Sequence, residues 1–379
     1  MALLSPLRNS DETICRRTVL SVVALAMLTY PAVAQISAGQ KQGVDNLARS
    51  YIADHHVPGL SLAVVVDGRV ALAEGYGLAD IENDVPATAD TVYRIASVSK
   101  PVTATAAMKL VEAGKLDLDA PMQKYCPAFP AKQWTMTTRQ LLTHQSGIRD
   151  YRDDAESINT RHYKSINEAL NQFAGDPLQF EPGTKMQYTS YGYIVLGCVI
   201  EGASSESYDS YMRQAVFEPS HMTVTRLDDV FAIIPHRAHG YVAGPDGTLQ
   251  NAIFVDVSNK PPGSGINSSA NDMGNFVAAL YAGQLVSKAS LARMLTPANT
   301  RDGKPTIYGF GFFLGGPVGN YHGIAEVGHG GDQQGYSSVL YLLPEKKFGV
   351  VALTNIEGQN NSSDLIELSR KIYDICSPK

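Results

Sequence analysis

The chain has 379 residues, of which 44% are hydrophobic and 18% charged, an ordinary globular balance that supports a large core. Its formal net charge is −6 and it carries no basic stripe or run of like charges, so nucleic acid is excluded as an expected partner. There is no repeat, no low-complexity tract and no linker-like stretch between lobes.

The first residues read as a targeting segment. Arg16 and Arg17 precede an apolar run from Val19 to Leu28, and Pro31-Ala32-Val33-Ala34 places small residues where a signal peptidase needs them. Cleavage after Ala34 is expected, giving a signal peptide over 1–34 and a periplasmic or secreted mature chain. An uncleaved anchor is the alternative, and the paired arginines leave open Sec or twin-arginine export. The run is short for a membrane span, and no stretch of the mature chain is long enough for one. Cys15 would leave with the leader. Cys126, Cys198 and Cys376 remain, too few for all to pair and without a CxxC motif, so they are expected to be small buried apolar residues.

Leu60–Val66 suits a buried strand, and Asp67-Gly68 before Arg69–Ala73 is a hairpin signal. Helices are expected over Thr103–Ala113, Ile166–Phe173, Tyr191–Glu201 and Asn271–Tyr281. Tyr336–Leu343 and Phe348–Thr354 form a second strand pair around Pro344–Lys347, and an amphipathic helix runs over Ser363–Ile375. Strands at both ends with helices between predict an α+β chain. One antiparallel sheet is built from both termini and flanked by helices, with a mostly helical lobe inserted. The α/β lobe would comprise 35–96 and 265–379, the helical lobe 97–264. A cleft between them is a natural place for a site.

Three motifs carry chemistry. In Ser97-Val98-Ser99-Lys100, Ser97 is the only serine three residues ahead of a lysine. Residues three apart share a helix face, so the ammonium reaches the hydroxyl. A serine is a poor nucleophile until a neighbour takes its proton, and a lysine does so when burial or another cation lowers its pKa. Alone the pattern is weak, since a chain this long is expected to contain one by chance, and an N-cap serine with a solvated lysine explains it equally. The second motif is Phe180-Glu181-Pro182-Gly183 followed by Tyr188-Thr189-Ser190. A phenol near cations could ionise below its usual value of roughly 10 and serve as a base. With 19 tyrosines in the chain, a core tyrosine is the competing reading. The third is Gly328-His329-Gly330-Gly331-Asp332, where glycines let backbone and ligand approach on a strand edge. His329 is expected to hold a proton or a hydrogen bond near the tyrosine.

Together these motifs resemble the serine β-lactamase-related family. They are most similar to the class C branch, which also holds D-alanyl-D-alanine carboxypeptidases, D-aminopeptidases, family VIII esterases and mitochondrial β-lactamase-like proteins. The resemblance covers nearly all of the mature chain, including Val92–Thr103, the Leu141-Leu142-Thr143-His144-Gln145-Ser146-Gly147 turn, Phe180–Gly197 and Gly265–Phe276. It implies a β-lactamase/transpeptidase-like fold and a serine hydrolase acting through an acyl-enzyme, with no metal or cofactor. Ser97 would be acylated, Lys100 would assist, Tyr188 would relay the proton, and His329 would stand in the third motif. The oxyanion would meet the N–H groups of Ser97 and Asp332, with Ser190, Gly330 and Gly331 lining the substrate. His144 would be structural. Ser190 replaces the family's asparagine, and the Asp332 carboxylate stands where small residues are common and could repel an anionic substrate. Both departures favour an esterase or a D-peptidase over an efficient β-lactamase. The expected substrate is a small ester, peptide or peptidoglycan-like molecule. A penicillin-binding or peptidoglycan-sensing protein that is acylated without turnover is the alternative.

The leader reading is checked by sequencing the exported protein, whose N-terminus is expected at Gln35; recovery only in membranes with Met1 retained would favour the anchor.

Overall fold

The computed structural model describes residues 36–377 apart from Pro245, Pro317, Gln359 and Asn360. The expected leader therefore lies outside the described residues. Thirteen elements position the site. In chain order they are α1 (Ala38–His55), β1 (Gly59–Val66), β2 (Arg69–Asp80), β3 (Val85–Pro86), β4 (Tyr93–Arg94), α2 (Ser99–Glu112), α3 (Ser190–Ser204), β5 (Ile266–Ser268), α4 (Ala270–Ala282), β6 (Val327–Gln333), β7 (Tyr336–Leu343), β8 (Phe348–Thr354) and α5 (Asn361–Cys376).

One antiparallel sheet runs β6-β7-β8-β1-β2-β3, so strands from the two ends of the described chain meet at the β8–β1 pair. The reason is legible in the side chains. β1 is buried on both faces: Leu60, Leu62 and Val64 turn to one core and Ala63 and Val65 to another. On the first face, Leu365, Leu368 and Ile372 of α5 and Val44 and Ala48 of α1 close the layer. On the second, Met273, Phe276, Val277 and Leu280 of α4 do so. A strand covered on both sides has no polar alternation, which is why it reads as a continuous apolar run. The Asp67-Gly68 turn has both residues at positive φ, 50° and 75°, as a tight two-residue hairpin requires. The β2 strand continues to Asp80, well past the expected end at Ala73.

Between β4 and β5 the chain is largely helical and irregular, as expected. The helix expected over Ile166–Phe173 is shorter, ending at Leu170. Among the described residues no helix is long and apolar enough to cross a membrane. β4 pairs with β5, Tyr93 opposite Ser268 and Arg94 opposite Asn267, so the segment leading into Ser97 is clamped to the segment leaving the helical part.

The cysteine expectation is corrected. Cys126 and Cys198 form a disulfide across 72 residues, with Cα atoms 5.4 Å apart, and only Cys376 is free and buried among the described residues. Cys198 lies inside α3, and its partner follows the turn at Met122–Lys124, so the pairing is set by packing that no local spacing reveals. Closing a loop of this length stabilises the fold by about 4 kcal/mol through the entropy of the unfolded chain. Replacing both cysteines by serine is expected to lower the melting temperature by several degrees, and reductant is expected to destabilise the native protein but not the double variant.

Candidate active site

The segment after β4 turns sharply. Ala96 is held at φ +46°, a costly conformation for a residue with a side chain, and Ser97 follows in a single 3-10 turn before α2. The turn is pinned from the sheet by the Ser338 hydroxyl, which donates to Ile95 O at 2.7 Å. Lys100, one turn on, is fully buried. Its Nζ donates to Ser97 Oγ at 3.0 Å and to Gly263 O at 2.9 Å. The faces of Tyr188 and Tyr193 complete its surroundings, with Nζ 4.7 Å and 5.6 Å from the ring centroids. Among the described residues no carboxylate touches the ammonium. Burial brings its pKa down to about 7; the more distant Asp150 opposes this and Lys260 adds to it. Gly263 reaches the lysine because Pro262 packs against α3 at Gly197, where a Cβ would lie only 2.3 Å from the proline ring.

Tyr188 is fixed by the turn that precedes it in the chain. The Thr189 N–H donates to His144 Nδ1 at 3.2 Å, and the Thr189 hydroxyl donates to Arg149 O at 2.7 Å while capping α3. His144 lies against Tyr188 with ring centroids 4.3 Å apart, and burial first, then Lys100 and His329, holds its pKa far below the usual value. It is a neutral structural acceptor, in line with the expectation for this turn. The influence of the nearby Ser97 hydroxyl on the Tyr188 phenol favours ionisation, but burial dominates and pushes its pKa well above 10. The expected low-pKa phenolate is thus corrected: burial first, with the Asp150 charge adding to it, favours the neutral phenol.

His329 is buried on β6. Its Nδ1 donates to Gly330 O at 2.6 Å and its Nε2 accepts from the Tyr308 hydroxyl at 3.0 Å. Burial, reinforced by the Lys100 charge, lowers its pKa to about 3, so it stays neutral. Its ring centroid is 6.0 Å from that of Tyr188, but its hydrogen bond goes to Tyr308, which the sequence did not single out.

β6 is an edge strand, closed onto β7 by the two-residue Gln334-Gly335 turn. Alternation from the Gln333–Tyr336 pair bonds Gly331 to Ser338 and leaves the Asp332 N–H on the open edge. Gly331 faces the nucleophile turn: a Cβ there would stand 2.7 Å from Ile95 O and 2.8 Å from Ser97 N. Gly330 and Asp332 face the other way, toward α5, where the Ser362 hydroxyl donates to the Asp332 carboxylate at 2.5 Å. The feared repulsion is corrected accordingly, because this carboxylate is turned from Ser97. The Ser190 N–H donates to Asp150 Oδ1 at 2.9 Å, and its side chain lies beside Tyr151. Sequence reasoning missed Tyr193, Tyr308, the Gly263 carbonyl, Asp150 and Lys260. Only Asp150, just after the Leu141–Gly147 turn, had a nearby signal. Lys260 is buried, donates to Ser157 O at 2.9 Å and has its pKa lowered to about 8 by burial.

The Lys100 shift has a consequence for stability. The folded pKa is lowered, so the unfolded chain binds the extra proton and stability rises with pH from about 7 to 10.5. Lys100→Met is therefore expected to stabilise the fold, and denaturant titrations should show a larger gain at pH 6 than at pH 9.

Comparison with known proteins agrees with this fold. Residues 44–371 match the Beta-lactamase family model. Human mitochondrial serine beta-lactamase-like protein LACTB is 33% identical over 60% of this chain and 54% of its own length, so the matched part spans about half of that relative. The octameric penicillin-binding protein homologue from Pyrococcus abyssi superposes with a TM-score of 0.73 at 27% identity, covering 88% of this chain and 76% of that one. D-amino acid amidase from Ochrobactrum anthropi SV3 superposes with a TM-score of 0.76 at 24% identity, covering 89% and 98%, a likeness of fold. A family match over most of the described chain, on a sheet built from both ends, means that this protein belongs to the β-lactamase family.

Proposed function

We propose that the protein is an exported serine hydrolase that cleaves an ester or amide through an acyl-enzyme on Ser97. The observation that carries this reading is the contact of Lys100 Nζ with Ser97 Oγ at 3.0 Å, in a pocket that brings the lysine's pKa to about 7. An amine poised there takes the serine proton as Oγ attacks the substrate carbonyl. The developing oxyanion meets the N–H groups of Ser97 and Asp332, which the close approach of Gly331 brings together. The Tyr188 phenol, kept protonated by burial, gives its proton to the leaving group and recovers one from the Lys100 ammonium, and the neutral lysine so regenerated takes the proton of the water that frees the acyl group and returns it to Ser97 Oγ. Neutral His329 holds Tyr308 against this cluster and is a positioning residue.

Substrate preference is read from Ser190. The family's asparagine at this position grips an acyl-side amide, whereas Ser190 is short, buried and beside Tyr151. This supports an esterase or a D-peptidase-like amidase with weak β-lactamase activity. The Cys126–Cys198 disulfide supports export, because such bonds persist in oxidising compartments.

Ser97→Ala is expected to abolish 4-nitrophenyl ester hydrolysis with an unchanged melting curve. Wild-type kcat/KM should rise with pH through about 7 as Lys100 loses its proton. Tyr188→Phe should lower kcat by about 10²–10⁴-fold with little change in binding. Mass spectrometry after a fluorophosphonate and, separately, a penicillin should find both on Ser97. A penicilloyl adduct that is never released, with no ester turnover, would favour a penicillin-binding sensor, and labelling of another serine would end the assignment.

A further inference from the structure

An open cavity of about 450 Å³ lies behind the Leu141–Gly147 turn and is used by nothing described so far. Thr143 and Gln145 line it, whereas His144 between them packs against Tyr188, so the turn stands between the cavity and the catalytic cluster. Its walls are tied together by backbone from three chain segments. The Arg301 N–H donates to Gly183 O at 2.7 Å, the Gly183 N–H to Gln145 O at 2.9 Å, and Gln145 Nε2 to Asn299 O at 3.3 Å. The Phe310 N–H donates to Met294 O at 3.0 Å, which fixes the Phe310 ring at the end of the helix over Lys288–Met294. A preformed cavity of roughly 300–1,000 Å³ is the size that holds a small molecule.

The lining carries unbalanced positive charge. Arg139, Arg293 and Arg301 face it with one carboxylate, Asp119. Arg139 Nε and Nη2 donate to Asp119 Oδ1 and Oδ2 at 2.6 and 2.5 Å, and Arg301 Nη1 donates to Glu181 Oε1 at 2.6 Å. Arg293 is exposed and, among the described residues, its guanidinium makes no hydrogen bond or ion pair. It lies over the Phe310 ring, 5.6 Å from the centroid, and Arg139 lies over the same ring at 5.8 Å. Two guanidinium groups thus meet at one aromatic side chain with a single carboxylate near them, which Arg139 and, more weakly, Arg293 hold below its usual range. Because that carboxylate is itself exposed, its pair with Arg139 contributes little and leaves the arginine able to share a second anion.

The uncharged part of the lining is polar. Gln140 accepts from the Thr137 N–H, but its Nε2 has no acceptor among the described residues, and the Asn299 side-chain amide has no partner among them either. Neither is sealed in the core: Gln140 is partly exposed and Asn299 exposed. The Thr296 hydroxyl donates to Ala292 O at 2.8 Å and keeps its lone pairs for a donor. Phe310 is buried beneath the arginines, so these groups offer hydrogen bonds to an occupant and little hydrocarbon surface.

We infer that this cavity binds a small hydroxylated anion, a sugar bearing a carboxylate or a phosphate. The anionic group sits between Arg293 and Arg139, and the hydroxyls meet the Gln140 and Asn299 amides and Thr296. This inference is independent of the acyl-enzyme reading.

Isothermal titration of the purified protein with glucuronate, glucose 6-phosphate, glucose and inorganic phosphate tests it. One or both anionic sugars should bind at a single site, about tenfold or more tighter than glucose, which lacks the charge, and than phosphate, which lacks the hydroxyls. The tighter of the two identifies the anionic group. Arg293→Gln, at an exposed position, should weaken that sugar by about tenfold or more, and sodium chloride should weaken it in the wild-type protein. Ser97→Ala should leave its affinity unchanged. No binding of either anionic sugar, or glucose or phosphate binding as tightly as both, would overturn the inference. So would unchanged affinity in Arg293→Gln, or loss of binding in Ser97→Ala, which would place the sugar at the nucleophile instead. The wild-type series decides the matter even where a variant fails to fold.

Discussion

The site depends on one unfavourable placement, an ammonium group buried without a carboxylate to pair it. Among the described residues Lys100 meets a serine hydroxyl, one backbone carbonyl and two aromatic faces. Moving its pKa from 10.5 to about 7 costs roughly 5 kcal/mol of folding free energy below neutral pH. A nearby carboxylate would remove that cost and, with it, the lysine's ability to take a proton near neutrality. Asp150 stops short of such a pairing: it bonds to the Ser190 N–H and acts on Lys100 only at a distance.

The rest of the fold can be understood as what holds that placement rigid. The sheet, covered on both faces by α1 and α5 and by α4, supplies an unyielding wall whose edge strand touches the Ser97 turn. The β4–β5 pair fixes the chain before Ser97, and the contact of Gly197 with Pro262 sets the carbonyl that the lysine needs. The turn around His144 binds Thr189 and so orients Tyr188. Each is a backbone or packing constraint, which suits a site whose ionisable groups must stay dry.

The aromatic and imidazole cluster behind Lys100 follows the same logic. His144, Tyr188, Tyr308, Phe313 and His329 pack ring against ring, and both histidines are neutral. A charged imidazole there would repel the lysine and push its proton affinity lower still. Keeping both neutral through burial leaves Lys100 as the principal proton acceptor in the cluster.

Much of this was legible in the chain. Strands buried on both faces appear as unbroken apolar runs, the Asp67-Gly68 hairpin as a dipeptide needing positive φ, and the Ser97–Lys100 contact as a spacing of three on a helix. These are local properties, encoded by periodicity and by residues with special backbone freedom. What the tertiary structure alone decided is long-range. The carbonyl that receives Lys100 lies 163 residues away, Cys126 finds Cys198 across 72, and His329 turns to Tyr308 rather than Tyr188. The direction of the Tyr188 shift was also beyond reach, since burial dominates it. Spacing states which residues can be neighbours along one element; the dielectric around them, and hence which of them holds the proton, is set only when distant segments close over the site.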